Sequence, residues 1–395
     1  MGRWHRGLFA LLCAGMLFTC SSVIENNPSE SGTIGSMDIP APGFFWMLRP
    51  WKDGTLVTMD GNARFAELSF VGESRIRITP LVNFPRERID RVLRVAPEAG
   101  ICVTKSGALF HVADISSGKT KSLAPFMNWR FSEGMPYIFD SANGLINFYY
   151  YRNTDINDGY LSCYNIIYDA KNDKILYESP ERGEAVSLEY NFTPELTLSQ
   201  QDRRIGSGPP ETVFYNWKTR EIISNELTEK LNDIGFNTFL GHGRNINLAG
   251  RFLFADIRIS EDTNKKVKIT WDENYEDVEI IPLDYLIPEG KWLYDIYLSV
   301  DGKWATTFVG GYEGLYGELL DKRVFFHLDN RYPNGISMPI FVDDYDEYHA
   351  EQGSFVEHPV HGWCFAEEKY RGDNGSEKLY LRLYKMSDVL AEINR

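Results

Sequence analysis

The sequence predicts an all-β fold, a β-propeller of seven four-stranded blades, from two markers that recur in step along the chain. The first is a tight turn, usually closed by glycine, followed at once by an apolar strand-like run. It occurs at Gly54 (TLVTM), Gly100 (ICVT), Gly144 (LINFYY), Pro194 (ELTLS, without the glycine), Gly250 (RFLFADI), Gly302 (KWATTFV) and Gly362 (WCFAEE). The successive spacings are 46, 44, 50, 56, 52 and 60 residues, the period of stacked supersecondary units. The second marker is a strand that ends in Asp or Asn, turns through polar residues and resumes as another strand. It occurs at Asp114, Asp169, Asn216, Asp272 and Asp329, spaced by 55, 47, 56 and 57 residues. Asp and Asn suit this place because their side chains bond nearby backbone and tolerate turn geometry. Two markers in register define four strands per unit, A to D, with an A–B turn at the first marker and a C–D hairpin at the second. Rings of six or eight blades are the alternatives to seven.

The elements follow in chain order. Residues 1–19 read as a signal segment: Arg3 and Arg6 stand without an acid before an apolar run too short to span a membrane. The run ends in Leu17-Phe18-Thr19-Cys20-Ser21-Ser22, which resembles a bacterial lipobox. That resemblance implies lipid attachment at Cys20 and a place in the bacterial cell envelope, facing the periplasm or the cell surface. Residues 20–42 are rich in Ser, Asn, Gly and Pro without an apolar period, the composition of a flexible tether. Residues 43–395 form the propeller, its blades covering about 43–85, 86–126, 127–181, 182–236, 237–290, 291–345 and 346–395. The seventh is expected to close on a C–D hairpin formed by LYLRLYK and MSDVLAEI. One stretch breaks the strand pattern: residues 225–232 (NELTEKLN) have helix formers and an acidic start, and predict a short helix between blades four and five.

Two short pieces carry a resemblance. Ser299-Val300-Asp301-Gly302-Lys303-Trp304 resembles the turn-and-strand of bacterial TolB-like and WD40-like propellers, and Ile115-Ser116-Ser117-Gly118-Lys119 is similar to their C–D hairpin. No blade carries the Trp-Asp dipeptide with its Gly-His partner, so the resemblance stops at the superfamily.

Composition narrows function by exclusion. Removing the signal segment leaves 39 basic against 56 acidic residues, which argues against nucleic acid, since phosphate contacts need clustered Lys and Arg. Cys102, Cys163 and Cys364 are an odd set without CxxC spacing, which argues against zinc, and Cys102 and Cys364 sit in apolar strand runs, the setting of buried structural thiols. Aromatics such as Phe148, Tyr149 and Phe325 alternate within strands and read as blade core.

Candidate binding residues sort by face. The D–A and B–C connections open on one side of a propeller, and the long ones here cover 151–159, 201–210, 260–265, 310–317 and 370–376. With the connections between blades they bring Arg130, Arg152, Arg204, Arg244, Tyr312 and Arg371 to that face. Guanidinium and aromatic groups there suit a protein or glycan ligand through forked hydrogen bonds and stacking. Asp343, Asp344 and Asp346 form the densest acidic run and the candidate site for calcium, though EF-hand spacing is lacking. No other cofactor is expected.

Three motifs are demoted. His358-Pro359-Val360-His361 invites a zinc reading, but His361 precedes an A–B turn and Pro359 precludes the helix that would align the rings. The Gly310-Gly311-Tyr312-Glu313-Gly314 run lacks the Lys-Ser/Thr and following helix of a phosphate cradle. There is no Gly-x-Ser-x-Gly elbow. The expectation is a membrane-anchored propeller that binds a protein or glycan without chemistry. The alternatives are a hydrolase or lyase at the channel mouth and a structural part of an envelope complex.

Overall fold

The computed structural model describes residues 36–40, 47–51, 54–59, 64–83, 91–106, 109–123, 135–154, 160–179, 186–191, 193, 195–201, 211–234, 246–247, 249–260, 263–287, 292–293, 296–310, 312–313, 318–319, 322–342, 349–373 and 376–395. They belong to the compact unit Ile34–Arg395. Antiparallel strands form seven blades of a β-propeller, accompanied among the described residues by two short α-helices. The strands of the first six blades fall within the boundaries read from the repeat, and the seventh takes one strand from outside them.

Both markers have a physical cause in the turns. Gly54, Gly100, Gly144, Gly302 and Gly362 all have φ between 66° and 73°, the left-handed region that an L side chain resists. At the fifth copy the sequence points to Gly250, but the left-handed residue is its neighbour Arg251, at φ 53°. At the second marker the side chain of Asp or Asn accepts backbone N–H groups just ahead of it. Asp114 takes those of Ser116 and Ser117, Asp169 those of Lys171 and Asn172, and Asn216 those of Lys218 and Thr219. Asp272 takes those of Asn274 and Glu276, and Asp329 that of Arg331. The Asp or Asn therefore closes these five C–D hairpins rather than facing solvent idly.

The core is divided like the ring. Seven hydrophobic clusters are present among the described residues, and each spans one seam between neighbouring blades. The seam between the last and first blades joins Val356, Cys364, Ala366, Leu381 and Leu383 to Leu48, Leu56 and Leu68. That seam closes the circle. Cys102 and Cys364 are buried in these clusters, and burial raises both thiols, Cys364 to about 12. At neutral pH they are inert packing groups.

Two findings at the chain ends differ from expectation. The seventh sheet has the order Ser36–Pro40, Ser376–Lys385, Gly362–Asp373, His349–His358. Its outer strand is thus Ser36–Pro40, a segment whose composition reads as tether. Ile39 is 2% exposed and packs in the closing seam, so pairing and burial of one apolar residue outweigh the polar composition around it. The expected final strand is instead helix α2, Met386–Ile393. Met386, Val389, Leu390 and Ile393 recur at helical spacing and pack against Trp304, Ile340, Val342 and Phe355. The helix predicted between blades four and five is present as α1, Glu226–Asp233, with Asn225 as its N-cap in a reciprocal capping box with Thr228. Its Leu227 and Leu231 fill the seam between those blades.

Candidate functional site

The two faces of the ring differ in how far the strands run. B–C hairpins extend well past the blade body in blade three (Leu145–Thr154 with Tyr160–Asp169), blade five (Phe252–Ser260 with Thr263–Thr270) and blade seven (Gly362–Asp373 with Ser376–Lys385). Blade six adds a separate two-stranded piece, Tyr312–Glu313 with Glu318–Leu319. Within the stretches 151–159, 260–265 and 370–376, read as loops from sequence, residues 151–154, 260, 263–265, 370–373 and 376 are therefore paired strand. Aromatic and β-branched runs such as Phe148-Tyr149-Tyr150-Tyr151 favour continuing the ladder over leaving it.

Three of the six candidate residues stand on these hairpins. Arg152 pairs in register with Ser162, Tyr312 with Leu319, and Arg371 with Lys378. All three lie on B–C connections, hence on one face. Arg130, Arg204, Arg244 and the acidic run Asp343, Asp344 and Asp346 lie outside the described residues. Among the described residues no cluster of three or more His, Cys, Asp or Glu side chains is arranged to hold a metal.

Beneath the hairpins of blades six and seven lies a buried ion pair that sequence reading missed. Arg323 is 1% exposed and Glu367 is 0% exposed, and Arg323 Nη2 donates to Glu367 Oε2 at 2.5 Å. The guanidinium lies 3.7 Å from the Phe308 ring centroid and 4.7 Å from that of Phe365. Its Nε has no hydrogen-bond partner among the described residues. Arg suits this site because its planar cation stacks on aromatic faces and is more weakly hydrated than an ammonium. A full charge within the apolar runs RVFFHL and CFAEE was the available signal. The pair fixes the base of the Tyr312 hairpin against the base of the Arg371 hairpin.

A neutral brace serves blades three and four in the same way. Asn147 Nδ2 donates to Leu188 O at 2.8 Å and to Asn165 Oδ1 at 3.3 Å, while Asn165 Oδ1 also accepts Leu188 N–H at 3.1 Å. Leu188 sits at a bulge in Val186–Asn191, where the register shifts and a free N–H and C=O become available to these side chains. The brace stands below the hairpin that carries Arg152.

The opposite face is made of short turns tied across blades. Ser141 bonds Glu98, Lys121 pairs with Asp173, and Arg220 donates to Glu178 O while stacking over Tyr177. His358 and His361 lie on this face with rings stacked 4.6 Å apart at 21°. Nδ1 of His358 accepts both the Val360 and His361 N–H groups, at 3.2 Å each, so its proton resides on Nε2. The ring thus closes an A–B turn as Asp closes a C–D turn, and this tautomer has no lone pair left for a metal.

No protein-family model matches the sequence, and no curated protein matches it. The solved structures to which it is similar are distant in sequence. The chain is similar to the β-propeller domain of the Trilobed protease from Pyrococcus furiosus, at 9% identity over 85% of this chain and 96% of that one, with a TM-score of 0.40. It is similar to the Cps50 (Swd1) β-propeller domain of Myceliophteria thermophila, at 10% identity over 88% and 98%, with a TM-score of 0.42. It is also similar to a prolyl endopeptidase, at 8% identity and a TM-score of 0.41, with 88% of this chain covering 50% of that one. The chain thus spans about half the length of that peptidase.

Proposed function

We propose that this protein is a membrane-anchored propeller of the bacterial envelope that binds a protein or glycan through its hairpin face, without chemistry of its own. The observation that carries this reading is the asymmetry of the ring. One face is finished in tight capped turns, and the other in extended hairpins that carry Arg152, Tyr312 and Arg371. Rigid hairpins holding guanidinium and aromatic groups are suited to binding, because little side-chain and backbone freedom remains to be lost on contact. The buried braces beneath them supply that rigidity. The anchor half of the reading rests on Cys20 and the segment before it.

The test is a binding screen of the purified chain against envelope glycans and envelope protein fractions, paired with a turnover screen on glycosidic, lactone and phosphoester substrates. Binding lost in Arg152→Ala, Tyr312→Ala or Arg371→Ala and kept in the turn-face variant Lys218→Ala is the expected result. Metal-dependent turnover would instead support the hydrolase or lyase reading.

A further inference from the structure

We propose that Arg49 and Arg94 form a binding site for the oxyanionic group of a small ligand, a carboxylate or a phosphate, on the wall of the central channel. The site is separate from the hairpin face and does not depend on it. The first strands of the blades supply the wall. Met47–Pro50 packs beside His349–His358, and Arg91–Ala96 beside Met135–Asp140, so these strands stand together around the axis of the ring.

Register puts one position of these strands at the same height in three consecutive blades. Arg49 pairs with Val57, Arg94 with Val103 and Tyr137 with Asn147. Val57, Val103 and Asn147 each stand three residues after a left-handed glycine, Gly54, Gly100 or Gly144. Directly opposed residues of an antiparallel pair share a face of the sheet, and the partners show which face it is. Val57 packs in the seam with blade two, Val103 packs in the seam with blade three, and Asn147 bonds Leu188 of blade four. Arg49, Arg94 and Tyr137 are therefore directed the same way round the ring, each toward the next blade.

The contacts follow from that direction. The Arg94 guanidinium lies 5.3 Å from the centroid of the Tyr137 ring, and its Nη1 donates to Leu93 O at 2.8 Å. Arg49 folds in the same way, with its Nη1 donating to Leu48 O at 2.9 Å, and it is directed at the strand that carries Arg94. Beside the Arg94 cation the hydroxyls of Tyr137 and Tyr149 are 3.1 Å apart, one donating to the other. All four side chains are partly exposed. The chain has 56 acidic against 41 basic residues, yet the contacts of Arg94 among the described residues are an aromatic face and one carbonyl. Most of its fork is thus unspent, and a second guanidinium stands at the same height on the neighbouring strand. Such a donor set is what the oxygens of a carboxylate or phosphate accept from. The Tyr137 ring holds the Arg94 cation in place beforehand, so little freedom is lost when an anion arrives.

The test is calorimetric titration of the purified chain with inorganic phosphate and, separately, with succinate, at one ionic strength set with chloride. Saturable binding of at least one probe is expected, and the probe that binds more tightly identifies the oxyanion. Arg94→Gln should weaken that binding about tenfold or more, as expected when a charge-assisted contact is lost. Arg75→Gln makes the same change of charge at an exposed position on the outer strand of blade one and should leave binding unchanged. Absence of saturable binding of both probes by the unsubstituted chain overturns the proposal. A smaller loss in Arg94→Gln overturns it too, as does an equal loss in Arg75→Gln, which would trace the effect to net charge. Should Arg94→Gln fail to fold, as read from its thermal midpoint without ligand, Arg49→Gln takes its place under the same threshold.

Discussion

On the turn face the chain reverses within a few residues, and side-chain oxygens of Asp114, Asp169, Asn216, Asp272 and Asp329 take up the backbone N–H groups that each reversal exposes. On the hairpin face the backbone satisfies itself by running on as paired strand, and the side chains are released from that duty. The contrast teaches where variation is tolerated: a turn residue such as Asp169 has a structural task, while backbone pairing finishes the hairpins that carry Arg152 and Arg371. Beneath the hairpins, however, stand groups that couple the two regimes, the Arg323–Glu367 pair and the Asn147–Asn165 brace.

The contrast is broken most severely by removing one partner of the buried pair. Arg323→Ala should cost about 3–5 kcal/mol, because Glu367 keeps a buried charge after losing this guanidinium, while Arg323→Met with Glu367→Leu should be close to neutral. Denaturant unfolding of the single and double variants measures both, and equal losses would show that packing rather than charge matters here.

Capping groups come next. Asp169→Ala should destabilise by about 1–2 kcal/mol, since the Lys171 and Asn172 N–H groups lose their acceptor in a half-buried turn. Gly302→Ala and Gly362→Ala separate strain from space. Both glycines have positive φ, but an added Cβ meets nothing at Gly362 and overlaps the Asn247 side chain at Gly302. The Gly362 variant should lose about 1 kcal/mol from backbone strain alone, and the Gly302 variant more, by the same measurement.

Acidity should act on the turn face through His358. Burial first, then His361 and Lys385, hold its ring below the ordinary histidine value, and its neutral Nδ1 is the acceptor that closes the turn. A lowered folded value means that the unfolded chain binds the proton more readily. Stability is therefore full above about pH 6.5 and falls as pH drops from there through the folded value. Burial lowers His111 and His327 in the same direction. A thermal midpoint that declines across this window, and less so in His358→Asn, is the expected outcome.

The smallest effect on stability is expected on the hairpin face. Arg152→Ala and Arg371→Ala should shift unfolding by no more than about 0.5 kcal/mol while abolishing ligand capture. A large loss of stability in either would mean that the hairpin face is also structural.

The amino-acid sequence by itself determined the number of blades, the limits of the first six and most of their A–B and C–D turns, because a turn that needs a left-handed glycine or a capping acid must write that residue locally, at Gly302 or Asp329 as at Gly100 or Asp114. It also placed α1, whose cap and apolar spacing lie within ten residues. Tertiary structure decided what depends on partners distant in the chain. Ser36–Pro40 is a strand only because the edge of Ser376–Lys385 and the seam around Leu48 and Leu381 receive it, 344 residues from Asp38 to the Arg382 that binds it. Residues 386–393 are a helix because that edge is already taken and the wedge beside Trp304 and Phe355 accepts their apolar stripe. Arg323 and Glu367 are 44 residues apart, and only the packing of blade six on blade seven makes them a pair. Local conformational needs are legible in local residues, whereas pairing across seams is a property of the closed ring.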